Sequence, residues 1–139
     1  MIQGTGKVTG RLIGGCTGPL HQIMGTYAYP QRDVWEDSII FLENGSPYGS
    51  ALAGLHEWRA FAASGIFDKA KGMITNSLNE EETRLLLKFM KYEVHREDLP
   101  ILTNVYFCHR TPMTVLPMGA KAEIDCDKVT FTILESGVN

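Results

Sequence analysis

The run SIIFLE, Ser38 to Glu43, constrains the fold more than any other stretch of this chain. Ile39, Ile40, Phe41 and Leu42 follow one another without the apolar–polar alternation of a half-wet strand, so the run reads as a buried β-strand. Its surroundings fit an alternation of strands and helices. GKVTGRLIGG before it reads as a strand ended by Gly14-Gly15. CTGPLHQIM follows as a short helix or tight connection, with Pro19 near its start. GTYAYPQRDVWED reads as a loop. After the run, NGSPYGS is a turn in which Ser46 can cap, and Pro47 can begin, a helix through SALAGLHEWRAFAASG. Ala51, Leu55, Trp58 and Ala62 share one face of that helix. Gly65 then suits the left-handed residue that ends it, with Ile66 folding back.

KGMIT reads as a further short strand. Asn79 and Glu82 form a capping-box pair opening a second helix, whose first turn gains from Glu80 and Glu81 beside the positive helix end. Leu86, Phe89, Met90 and Glu93 follow at helical spacing, an apolar stripe that fades at Glu93. LPILTNVYF reads as a strand that delivers His109 to its carboxyl end, and VLPMG as a brief extended piece. AKAEIDCD and KVTFTILE form a hairpin that turns at Asp125 to Lys128. The expected class is α/β, with two main helices and a β-rich carboxyl-terminal part.

At 139 residues the chain makes one domain able to bury its own core. Its net charge of -3, with no charged blocks, excludes the basic face of a nucleic-acid module. No apolar run reaches membrane-spanning length, and the first residues carry no signal-peptide pattern. Cys16, Cys108 and Cys126 are odd in number and irregularly spaced, which suits free thiols in a reducing cytoplasm rather than a disulfide framework.

Candidate chemistry gathers in YFCHRTPM, where His109 follows an apolar run and precedes the brake of Pro112. A histidine there is either a satisfied strand-end residue or a base, and a base needs a carboxylate to orient it and a nucleophile to activate. Glu43, closing the buried run, either begins a solvated loop or faces the crevice at the strand carboxyl ends. His21, His56 and His95 lie in or beside helical stretches without partners at telling spacing. Cys108, next to His109 on an extended strand, should point to the opposite face. No C-x-x-C or H-x-x-x-H pair suggests zinc. Among the serines (Ser38, Ser46, Ser50, Ser64, Ser77, Ser136) none sits in a G-x-S-x-G elbow. GGCTG, Gly14 to Gly18, does match G-x-C-x-G after a strand, and the order Cys16, Glu43, His109 would then make a self-contained cysteine hydrolase. A binding or assembly module without catalysis is the third reading.

The ordered motifs RLIGG, IIFLEN, SGIFDKAKGMI, LPIL and CHRTPMTVLPMGAKAEID are more specific together than singly. From about Gly10 to Glu135 the chain resembles the carboxyl-terminal domain of the LD-carboxypeptidase family of serine peptidases. Within that family it looks most like the microcin C self-immunity branch, through Cys-His followed by Thr-Pro-Met.

The resemblance implies a layered β/β/α unit of swivelling type with a mixed sheet, spanning residues 10–139 behind a linker at 1–9. It implies a parent enzyme whose amino-terminal domain carries a nucleophilic serine, and Met1 stands about where an interdomain linker would end. By similarity the glutamate of the family's FLE motif falls on Glu43, and the histidine ahead of LP-x-G falls on His109. His109 would serve as general base to the serine and then acid to the leaving amine, oriented by Glu43. The substrate-side asparagine of the family's Gly-Gly-Asn falls on Cys16, a departure that would alter specificity. Implied substrates are murein peptides ending in a D-amino acid or peptidyl-nucleotides of the microcin C type. The resemblance implies no metal or organic cofactor, and it suggests a homodimer.

Overall fold

A computed structural model of the chain describes residues 1–44, 51–109 and 111–138, with the side chains of residues 51–53 outside the description. One six-stranded mixed sheet organises it, in the order β4-β3-β2-β1-β5-β6. The strands are β1 (Lys7–Cys16), β2 (Ser38–Glu43), β3 (Gly72–Thr75), β4 (Ile101–Leu102), β5 (Lys121–Asp125) and β6 (Thr130–Ile133). β1 to β4 run parallel, and β5 and β6 are antiparallel additions beside β1. β1 joins the two halves: Lys7 to Arg11 pair with β5, and Arg11 to Cys16 pair with β2.

The crossovers are α1 (Thr17–Gln22), α2 (Ala51–Ala63) and α3 (Glu80–Phe89), each moving the chain one strand further in the same direction. A constant crossover hand puts all three on one face. The strand period of two divides the core accordingly. Ile40 and Leu42 of β2, Met73 of β3 and Ile101 of β4 pack with Leu20, Trp58, Phe61, Leu86 and Phe89 on the helical side. Ile39, Phe41, Ile74 and Leu102 face the other side, with Leu12, Ala122, Ile124 and Phe107. The sheet curls, so that Leu102 of one edge strand and Phe131 and Ile133 of the other line the same groove.

The buried run of β2 has both faces covered, as its pattern implied. Asn79 and Glu82 make the full capping box, at 2.9 and 2.8 Å. Gly65 takes φ +81°, and α2 closes with paired bonds from Gly65 N–H to Ala62 and from Ile66 N–H to Phe61, a Schellman end. The expected cap at Ser46 and Pro47 lies outside the described residues. The expected face of α2 needs Phe61 added, which is fully buried beside Trp58. Leu86, Phe89 and Met90 are buried as the stripe implied, but the α-helix ends at Phe89 and widens into a π-turn segment, Met90–Val94. Glu93 there bonds Arg59 of α2 twice, at 2.6 and 2.7 Å.

Two expectations are corrected. Residues 1–9 are not simply a linker: β1 begins at Lys7, Gln3 bridges to Ile101, and the Gln3 amide donates to the Arg96 and Leu99 carbonyls. The strand expected over 99–107 forms its ladder only at Ile101–Leu102. Asn104 enters the left-handed region at φ 62°, a conformation asparagine tolerates and a ladder does not continue. The chain then leaves the sheet and crosses its non-helical face. No helix among the described residues is long and apolar enough to cross a membrane.

Candidate functional site

The carboxyl ends of β1, β2 and β3 lie side by side, and register decides which side chains share a face there. Cys16 is the Cα partner of Glu43 across the parallel pair. Side chains at i and i+2 share a face, so Cys16 continues the side of Leu12, and Glu43 continues the side of Ile39 and Phe41. Asn76 stands one step beyond the last β2–β3 pair, Leu42 and Thr75, and continues the side of Ile74. Close approach makes this register possible, since a Cβ on Gly14 would overlap the Phe41 carbonyl oxygen.

The segment after β4 covers the same face. Phe107 packs edge-on against Phe41, with ring centroids 6.0 Å apart. Two residues further along both segments, His109 meets Glu43, with Nε2 3.5 Å from Oε1. The two sequence candidates are therefore brought together, by the packing of one aromatic pair and a common two-residue step. Glu43 is largely covered, at 19% side-chain exposure, whereas the imidazole is 92% exposed. A separation of 3.5 Å is longer than a charge-assisted hydrogen bond, and it makes an ion pair only when the imidazole is protonated.

Cys16 borders the same crevice at the strand-to-helix turn the elbow pattern implied, its thiol making no capping hydrogen bond. Burial pushes the thiol upward, and the negative charges of Glu43 and Glu57, with Cys108, add to the rise; the Gly18 amide opposes it. A nucleophilic cysteine needs the opposite surroundings, cations or an imidazolium that favour the thiolate. Cys108 is a correction: it sits in a bend rather than on a strand, so it does not point away from the site. Its sulfur accepts from Asn76 Nδ2 at 3.5 Å and acts on the Cys16 thiol. Among the described residues no three His, Cys, Asp or Glu converge to hold a metal ion.

Asn76 was missed in the sequence. It is buried, and its amide bonds the backbone of Asn44 twice, accepting from N–H at 2.8 Å and donating to the carbonyl at 2.9 Å. The available signal was its place directly after the strand KGMIT, the same strand-end position that singled out Glu43. Of the serines, Ser38, Ser64 and Ser136 spend their hydroxyls on the carbonyls of Trp35, Phe61 and Val138.

Known proteins share sequence and fold with this chain. The family model of the LD-carboxypeptidase C-terminal domain matches residues 9–124. A Vibrio cholerae protein named by likeness as a carboxypeptidase is 30% identical over 94% of this chain and 39% of its own length. The microcin C7 self-immunity protein MccF of Escherichia coli is 30% identical over 95% of this chain and 38% of its own. The solved structure of MccF in complex with aspartyl sulfamoyl adenosine superposes with a TM-score of 0.84 at 25% identity, over 99% of this chain and 41% of that one. The chain thus spans about two-fifths of the length of these relatives.

Proposed function

The chain belongs to the family of LD-carboxypeptidase C-terminal domains, and from that premise we propose that it supplies the histidine and glutamate of a Ser-His-Glu relay, the serine coming from outside these residues. The observation that carries the reading is the meeting of His109 Nε2 and Glu43 Oε1 at 3.5 Å over the strand carboxyl ends. Glu43 orients the ring and stabilises the imidazolium that forms, while the ring nitrogen facing away from it takes the serine proton and later returns it to the leaving amine. The exposure of the imidazole supports a partner surface, because a relay works in a water-poor site. Tyr106, Met113, Val115 and Met118, exposed in the same segment, offer apolar area for such a surface.

The reaction on this reading is hydrolysis of an amide-type bond in an L,D-peptide or a peptidyl-nucleotide. The aspartyl sulfamoyl adenosine held by MccF supports the second class. Cys16, beside Glu43 and kept as a neutral thiol, contacts substrate rather than attacking it. The work is done in the cytoplasm, where the free thiols stay reduced. In the full-length enzyme, His109→Ala and Glu43→Gln each lower kcat on such a substrate, His109→Ala by on the order of 10³-fold or more. The isolated chain turns over neither substrate class. An unchanged kcat in both variants overturns the relay, and turnover by the isolated chain overturns the external serine.

A further inference from the structure

We infer that Asn76 is a positioning residue that holds Glu43 and His109 in register with each other. The inference rests on the relay reading and adds to it the device that sets its geometry. The Asn76 side chain touches the two segments that carry the relay, each at the residue next to the functional one. Toward β2 it makes two bonds with the backbone of Asn44, the residue directly after Glu43. Toward the other segment Nδ2 donates to the sulfur of Cys108, directly before His109. The main chain repeats the link, since the Asn76 carbonyl accepts from Asn104 N–H at 3.3 Å and the Thr75 carbonyl from Val105 N–H at 3.2 Å.

This matters because the two partners are held unequally. Glu43 ends a strand and is fixed by the β1–β2 register. His109 lies well past Leu102, the last ladder residue of β4, on a chain with no strand pairing of its own. An amide has donors and an acceptor in a fixed plane, so a buried asparagine can satisfy a backbone N–H and C=O together and still reach a third group. Leucine or alanine there would leave the Asn44 groups without these partners and release the Cys108 sulfur. Misplacement of a catalytic group by about 1 Å can cost on the order of 10²-fold in rate.

The test reads the histidine rings directly, by long-range ¹H–¹⁵N spectra of the labelled chain at one fixed pH near neutrality. Glu43→Gln is the reference variant and moves the imidazole nitrogen resonances of His109. Asn76→Ala is expected to move the same resonances by at least half that displacement, with those of His21, His56 and His95 unmoved. Cys108→Ala, which removes one end of the clamp, moves them less. If Glu43→Gln moves His109 and Asn76→Ala does not, the positioning role is overturned. Equal movement of all four histidines in Asn76→Ala overturns it too, as general loosening of the fold. If Glu43→Gln itself leaves His109 unmoved, the relay fails and this inference with it. Should Asn76→Ala not fold, Asn76→Asp keeps the acceptor for Asn44 N–H, loses both donors, and is judged by the same outcomes.

Discussion

At the scale of single residues, the site is a row of strand-end side chains whose chemistry depends on neighbours from other strands. Cys16 shows this most plainly. In the sequence it completes G-x-C-x-G, and the strand-turn-helix context of an elbow does form around it. Its thiol nevertheless lies in partial burial beside two carboxylates, which push its titration up rather than down. Cys16 should therefore alkylate with iodoacetamide more slowly than glutathione at the same pH between about 7 and 8, and Glu43→Gln should speed it. Site-resolved mass spectrometry measures both rates. Faster reaction than glutathione would return Cys16 to candidacy as a nucleophile. Glu43 and His109 were readable as candidates because each follows an apolar run. Asn76 follows one as well, but an uncharged amide at a strand end costs too little to draw notice.

Among the elements, β1 carries the greatest demand on sequence. It must approach β2 closely enough to set Cys16 level with Glu43, and Gly14 permits this by having no Cβ beside the Phe41 carbonyl. Gly14→Ala is expected to lower stability by about 3 kcal/mol or more, because the obstructing atom is backbone and cannot swing aside. Urea denaturation gives the loss, and a change below about 1 kcal/mol would mean that the strands part at little cost. Helix ends were legible in sequence because they depend on local bonds: the capping box at Asn79 and the glycine end at Gly65 need only their own turns. β4 was misread for the converse reason. ILTNVYF has strand composition throughout, yet it pairs for two residues before Asn104 turns left-handed. Propensity reports a pleated surface being available, not whether a partner strand continues beside it.

At the scale of the whole molecule, the antiparallel strands close the non-helical face, and their attachment has its own pH dependence. Asp125 of β5, 3% exposed, accepts from Lys128 N–H at 3.0 Å and pairs with Lys7 of β1 at 3.1 Å. The Lys128 amide first, and then Lys7, hold its carboxyl below the ordinary value against the opposing effect of burial. A carboxyl lowered by folding stabilises the fold above its unfolded value, about 3.9, and that contribution is lost as pH falls through the lowered folded value. Asp125→Asn should then be less stable than the parent at pH 7, with the difference shrinking as the pH is taken from about 4 toward 2. Denaturation midpoints at a series of pH values check this, and a difference that stays constant across that window would exclude the linkage.

The sequence by itself determined the elements whose causes are local: the buried strand at 38–43, the capped helix from Glu80, the end of α2 and, to within a residue, the turn between β5 and β6. It also singled out Glu43 and His109, because a charged or titratable group ending an apolar run carries a cost that must be met somewhere. Only the tertiary structure decided that the two meet, that Cys108 borders the site instead of leaving it, and that Asn76 bonds both segments. Those facts depend on register between strands and on the path of a chain crossing a sheet face. Contacts between residues dozens of positions apart set both, and no local pattern carries them.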